Sequence, residues 1–312
     1  MNILILGAAG FIGTNLAIEL SKSKDNNLTL VDKSREYFVP EIKKTNVNIV
    51  DCCLDSDMDY SILQGQDVVF HLVSTVIPTN SNQHITQDIK TNVIFSSILF
   101  ESCVRYGVKK VIFISSGGTV YGKDVVCPIS EDMPTNPITS YGIQKITIEK
   151  LLFLYNYMYG LDYRIIRLSN PYGPYQRPNG LLGAVTTFTY NALKELPIYV
   201  YGDGSVIRDF IYIDDVIRGI MNIFLHDSKH KVYNLGSGYG TSINELIETI
   251  SSVLSCKLNL IYKDSRTVDV PVNYLNINRY ETEFGKLNSL SLRDGIKRTA
   301  DFFICNRFFV TS

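Results

Sequence analysis

The sequence predicts an α/β protein built on a doubly wound parallel sheet. Three observations point there: an apolar run ending in regularly spaced glycines, strand-like runs alternating with helical stretches, and a second apolar run closed by an acid. The first run, residues 3–6, is short, apolar and bounded by Gly7, as expected of a strand buried on both faces. Gly7, Gly10 and Gly13 follow at intervals of three, and Leu16, Ala17 and Leu20 then fall at helical spacing over residues 14–22. A glycine turn between strand and helix lets backbone N–H groups approach a pyrophosphate, and the helix N-terminus adds partial positive charge. The second run, residues 28–31, ends in Asp32, 25 positions after Gly7. An acid there suits the adenosine ribose hydroxyls and repels a 2′-phosphate, so NAD is favoured over NADP. The bland alternative is a glycine-rich turn that holds no ligand.

Further strand-like runs occur at 47–50, 68–72, 111–115 and 163–168, with helical stretches such as 92–106 and 140–159 between them. Alternating units of this kind predict parallel pairing with helices on both faces. After Asn170 the texture changes. Pro171, Gly173, Pro174, Pro178 and Gly180 mark a long loop, and shorter pieces follow. The expected organisation is a dinucleotide-binding domain over 1–169 and a smaller α/β substrate lobe over 170–312. Part of that lobe, about 210–240, returns to the main domain, with Val232–Leu235 as a late strand.

Composition narrows the classes of function. The 312 residues include 45% apolar residues, and 30 Lys and Arg against 31 Asp and Glu leave a net charge of −1. No basic stripe is present to track nucleic acid. No apolar run approaches the ~20 residues of a membrane span. Six scattered cysteines read as reduced core thiols of a cytoplasmic protein, and neither they nor the four histidines have metal-ligand spacing.

Tyr141 and Lys145 carry the chemistry. Residues at i and i+4 share a helix face, and an ammonium beside a phenol favours the phenolate, which suits a general base for a hydroxyl proton. The same helix is apolar around nearly its whole circumference, from Ile143 to Met158. One side should cover the sheet. The other is expected to pack on a second copy, together with Ile94, Ile98 and Leu99, as a four-helix homodimer interface; internal burial in a monomer is the alternative.

Beyond these pieces the chain carries Asp51, Phe70-His71-Leu72, Asn92-Val93, Ser115-Ser116-Gly117-Gly118-Thr119-Val120-Tyr121-Gly122 and Arg167-Leu168-Ser169-Asn170-Pro171-Tyr172-Gly173-Pro174. Tyr201-Gly202-Asp203-Gly204, Arg208-Asp209-Phe210 and Arg266 with Asp269 complete the set. In this order the motifs resemble the extended short-chain dehydrogenase/reductase family, and most closely its NAD-dependent nucleotide-sugar epimerases of the UDP-galactose/UDP-glucose 4-epimerase type. The resemblance runs nearly end to end and implies a Rossmann domain. It implies that Gly7, Gly10, Phe11, Ile12 and Gly13 hold the pyrophosphate of NAD and that Asp32 holds its ribose. Asp51 and Cys52 would flank the adenine. Leu72, Asn92 and Ser115 would lie along the cofactor, and Lys145 would bond the nicotinamide ribose while lowering the Tyr141 pKa. On the substrate side it implies Asn170 and Arg208 as phosphate or sugar ligands, Arg266 on the diphosphate, Tyr201 on the uracil and Asp269 on the uridine ribose.

The implied reaction is epimerisation at C4 of a nucleotide-activated hexose through a transient 4-keto sugar, in polysaccharide biosynthesis or galactose metabolism. A nucleotide-sugar reductase or 4,6-dehydratase is the alternative within enzymes, and an inactive NAD-binding sensor the alternative outside them. Where the family carries a Ser or Thr that shuttles the proton, this chain has Gly117. Ser116 is the first candidate to stand in and Thr119 the second. Gly117, Gly118 and Thr119 offer no acid for dehydration. The residue that gates the sugar's 2-substituent would be Asn273, small enough to admit an N-acetyl group.

Overall fold

A computed structural model describes all residues except 44, 46, 77, 79, 80, 179–182, 267–269 and 307–312. Seven strands form the main sheet: β1 (Asn2–Leu6), β2 (Asn27–Asp32), β3 (Asn48–Asp51), β4 (Val68–His71), β5 (Lys110–Ser116), β6 (Asp162–Leu168) and β7 (Val232–Leu235). Their order is β7-β6-β5-β4-β1-β2-β3, and the sheet is parallel. The order reverses between β1 and β4, the kind of switch point where open α/β sheets take ligands. Interior residues of the central strands such as Leu4, Val69 and Phe113 are fully buried, which is why the runs of β1, β4 and β5 are continuously apolar rather than alternating, whereas Ile49 and Val50 of the edge strand β3 are only half-buried.

Two compact units result. The first comprises Met1–Ser116, Thr139–Ile166 and Met221–Tyr233. The second comprises Gly117–Ile138, Arg167–Ile220 and Asn234–Ser312. In the first unit, helix α1 (Phe11–Leu20) begins directly after Gly10, three residues earlier than its apolar spacing suggests. Helix α2 (Phe95–Arg105) continues from a π-helical stretch, Ile89–Ile94, and helix α3 spans Ser140–Tyr159, with Thr139 accepting the Gly142 amide as its cap. Leu99, Phe100, Ile148 and Leu152 close one core over the sheet.

The apolar surface of α3 divides as expected only in part. Ile148 and Leu152 face the core, whereas Phe153 (59% exposed), Tyr157 (81%), Ile143, Leu154 and Met158 are open, as is Ile94. Leu99, expected on that outer surface, is instead fully buried, because it lies on the sheet-facing side of α2. The cysteines also depart from expectation. All six are free thiols, but only Cys103 is buried, and Cys53 and Cys305 are exposed.

In the second unit the strand Ile207–Arg208 pairs with Thr241–Ser242 on one side and Val272–Asn273 on the other, and Ile198–Tyr201 pairs with Leu260–Lys263. A capping box between Ser242 and Glu245 starts the helix Ile243–Leu254. Among the described residues no helix is long and apolar enough to cross a membrane.

Candidate active site

The glycine turn lies at the end of β1. Gly7 takes φ +82°, and its N–H and that of Ala8 both donate to Val31 O, at 3.0 and 3.1 Å. A Cβ on Gly13 would come within 2.7 Å of Ala8 Cα, so only glycine lets α1 approach the turn this closely. Gly10 caps α1 without any side-chain hydrogen bond, and Phe11, Ile12 and Gly13 form its first turn. Asp32 Oδ2 accepts the Ala9 N–H at 2.9 Å, which fixes the acid beside the turn. This donor set fits the pyrophosphate and ribose of a dinucleotide: a glycine cradle, a helix N-terminus free of a capping side chain and an adjacent carboxylate. Leu72 backs the turn, its N–H donating to Leu6 O at 3.1 Å. Asp51 ends β3 near Arg35, and Cys52 N–H donates to Asp32 O at 3.0 Å.

Two residues expected along the cofactor spend their polar groups within the protein. Asn92 sits on the π-helical stretch, where its Oδ1 accepts Thr75 N–H at 3.0 Å and its Nδ2 donates to Asp88 O at 2.9 Å. It therefore pins the loop that follows β4. The Ser115 hydroxyl donates to Glu149 Oε1 at 2.5 Å.

Tyr141 and Lys145 stand in the first turns of α3 against the end of β5. Lys145 Nζ donates to Ile114 O at 2.9 Å and lies 4.7 Å from the centre of the Phe113 ring and 5.5 Å from that of Tyr141. Ser116 hydrogen-bonds the Tyr141 phenol. The expected lowering of the Tyr141 pKa is not what this arrangement gives. Burial pushes the phenol up to about 12, and the Ser116 hydrogen bond only partly opposes it. Burial also brings Lys145 down to about 8, with the Glu149 charge working the other way. The physical reason is desolvation, which disfavours phenolate and ammonium alike.

In the second unit, Gly117 N–H donates to Leu168 O at 2.8 Å, and Asn273 Nδ2 approaches Gly117 O at 3.4 Å. A Cβ on Gly117 would meet Leu275 Cδ1 at 2.5 Å and Arg167 O at 3.2 Å, so the missing hydroxyl reflects a filled space. The Thr119 Oγ1 and the Asn273 Oδ1 are buried with no hydrogen-bond partner among the described residues. Arg208 and Asn273 are register partners on adjacent strands, and Arg208 Nη1 donates to the carbonyls of Ile207 and Val270 at 2.9 and 2.6 Å. Asn170 Nδ2 donates to Asp209 O at 2.9 Å. The Arg266 guanidinium stacks 4.2 Å from the centre of the half-exposed Tyr201 ring. Asp269 lies outside the described residues.

Sequence reasoning missed Glu149 and the weight of Asp209. Glu149 falls at i+4 from Lys145 and i+8 from Tyr141, so its spacing was there to be read. Asp209 is fully buried and accepts Ser237 N–H and Oγ–H, each at 2.7 Å, and Leu275 N–H at 3.2 Å.

Comparison with known proteins accords with this geometry. Residues 3–236 match the model of the NAD dependent epimerase/dehydratase family. A putative UDP-glucose 4-epimerase of Methanocaldococcus jannaschii is 33% identical over 305 residues, covering 96% of this chain and 97% of that protein. A dTDP-4-dehydro-6-deoxyglucose reductase of Escherichia coli is 31% identical, covering 97% and 98%. Among solved structures, the UDP-glucose 4-epimerase of Thermotoga maritima with UDP-glucose superposes with a TM-score of 0.90 at 32% identity, covering 98% and 100%.

Proposed function

The chain belongs to the NAD dependent epimerase/dehydratase family, and on that premise we propose that it interconverts the C4 epimers of a UDP-activated hexose. The observation that carries this reading is Tyr141 on the first turn of α3, hydrogen-bonded by Ser116, with Lys145 one turn further along, in the same unit as the glycine turn and Asp32. NAD held at the glycine turn and Asp32 would supply reversible hydride transfer at the sugar's C4, with no net consumption of cofactor. The Tyr141 phenolate takes the proton of the 4-hydroxyl and gives it back. Ser116 supplies the hydroxyl that Gly117 lacks, and its hydrogen bond favours the phenolate. Lys145, anchored on Ile114 O, holds positive charge beside the phenol and would bond the nicotinamide ribose of NAD. Gly7, Gly10, Phe11, Ile12, Gly13 and Asp32 hold the cofactor. Arg208, Arg266, Tyr201, Asn170 and Asp269 take the UDP moiety, since the planar fork of arginine suits a diphosphate.

Asn273 bounds the sugar's 2-substituent, and its small, incompletely paired amide supports acceptance of an N-acetyl group as well as a hydroxyl. The active form is a homodimer through the open apolar surface of α3 with Ile94, which is larger than a lone surface residue needs.

The test is incubation of purified protein with a panel of UDP-sugars, without added reductant, following C4 stereochemistry by NMR. Inversion at C4 is expected, and Tyr141→Phe should abolish it while leaving the fold and bound NAD intact. A net reduction is the second reading, supported by the E. coli relative; it would show as consumption of reduced nicotinamide with no exchange of C4 epimers. Turnover unchanged in Tyr141→Phe would overturn the assigned base.

A further inference from the structure

Glu149 is an acid with no part in the chemistry derived so far, yet it is one of the most deeply placed charges in the first unit, only 4% exposed. It stands on α3 one turn beyond Lys145 and two turns beyond Tyr141, so the three side chains share a helix face. Ser115 on β5 donates its hydroxyl to Glu149 Oε1 at 2.5 Å. A carboxylate taken this far from water is strongly destabilising unless other groups compensate it. The Ser115 hydroxyl supplies one such partner and fixes the carboxyl group one helical turn from Lys145.

The surroundings of Lys145 show why that charge matters. On α3 it has Tyr141 and Glu149. From β5 come the Ile114 carbonyl that accepts its Nζ–H, the Phe113 ring face and the Ser115 hydroxyl on Glu149. From β4 comes His71, fully buried, bonded through Nε2 to Ser96 Oγ at 2.8 Å and held neutral by burial and by the Lys145 charge. On β6, Tyr163 feels Glu149, with Arg164 and Asp162 beyond it. Of the groups that act on Lys145, Glu149 is the one whose charge favours the ammonium.

We infer that Glu149, held by the Ser115 hydroxyl, is a positioning residue that keeps Lys145 in its ammonium form and aligned on Ile114 O, and through it sustains Tyr141 as the base. The inference rests on Tyr141 and Lys145 being the proton-transfer pair. Glu149 touches neither substrate nor cofactor in this role; it acts on the chemistry through Lys145.

The experiment follows the lysine directly. Titration of the Lys145 Cε–Hε signal by NMR in the full-length protein, wild type against Glu149→Gln, should show the midpoint falling by about one pH unit, the size expected when a neighbouring opposite charge is removed. The alkaline limb of kcat/KM should move to lower pH with it, and Glu149→Asp should restore part of both shifts. Ser115→Ala should move the midpoint in the same direction by less, and it keeps the test alive if Glu149→Gln does not fold. A purely structural Glu149 would lower the melting temperature and leave the midpoint and the pH limb where they are, and that outcome in a folded variant would overturn the inference. The two assignments fail separately: turnover surviving in Tyr141→Phe removes the base while leaving the lysine shift intact, and an unmoved lysine midpoint removes Glu149's role while leaving the base intact.

Discussion

Tyr141 and Lys145 are set against the solvent preference of their own charged forms. With burial bringing Lys145 to about 8, the ammonium is present below that pH and lost above it. Activity that depends on the ammonium is therefore expected to hold toward neutral pH and fall as pH rises through about 8, and a pH profile of kcat/KM checks this. A flat profile through that window would place the required charge elsewhere. Gly117 makes a second case at this scale. Restoring the hydroxyl with Gly117→Ser drives a Cβ against Leu275, which is fully buried, and overpacking of this kind costs about 1–3 kcal/mol. Urea melts should show that loss, and adding Leu275→Val should recover part of it because residues in contact couple. Equal stability of Gly117→Ser and the parent would mean the side chain of Leu275 yields freely.

At the scale of elements, the turn from β1 into α1 joins backbone conformation to ligand binding. Gly13→Ala puts a methyl group against Ala8 Cα and Gly7 O and forces α1 away from the turn. A loss on the order of 3 kcal/mol is expected, with little NAD carried through purification; denaturant melts and the nucleotide released on denaturation measure both. This element was legible in the sequence because glycine spacing, apolar run and acid are all local signals. The span of α3 was legible for the same reason, and so were the strands of the main sheet. What could not be read was the environment. Leu99 belongs to an apolar face whose outer edge depends on how α2 rolls on the sheet. The phenol pKa depends on burial, which no spacing of Tyr141 and Lys145 reveals. Ser116 could be nominated as the relay from its position beside Gly117, but its bond to Tyr141 depends on how β5 meets α3. Glu149 sat at a readable spacing and gained meaning only with Ser115 opposite it.

For the whole molecule, the open surface of α3 gathers several large apolar side chains that the single chain leaves exposed. Glu at both Phe153 and Tyr157 is expected to give a monomer in sedimentation experiments where the parent gives a dimer, with secondary structure unchanged. A parent that sediments as a monomer would remove the proposed assembly without touching the chemistry of Tyr141.

The interleaving of the two units also bears on synthesis. β7 is the sheet partner of β6, yet it is encoded more than sixty residues later, with most of the second unit's Arg167–Ile220 segment in between. A nascent chain that has left the ribosome as far as β6 therefore presents that strand with an open backbone edge, and open edges template wrong pairings. Stalled or truncated translation products ending in this interval should be the species that aggregate and that chaperones retain, while the finished chain closes its own edge.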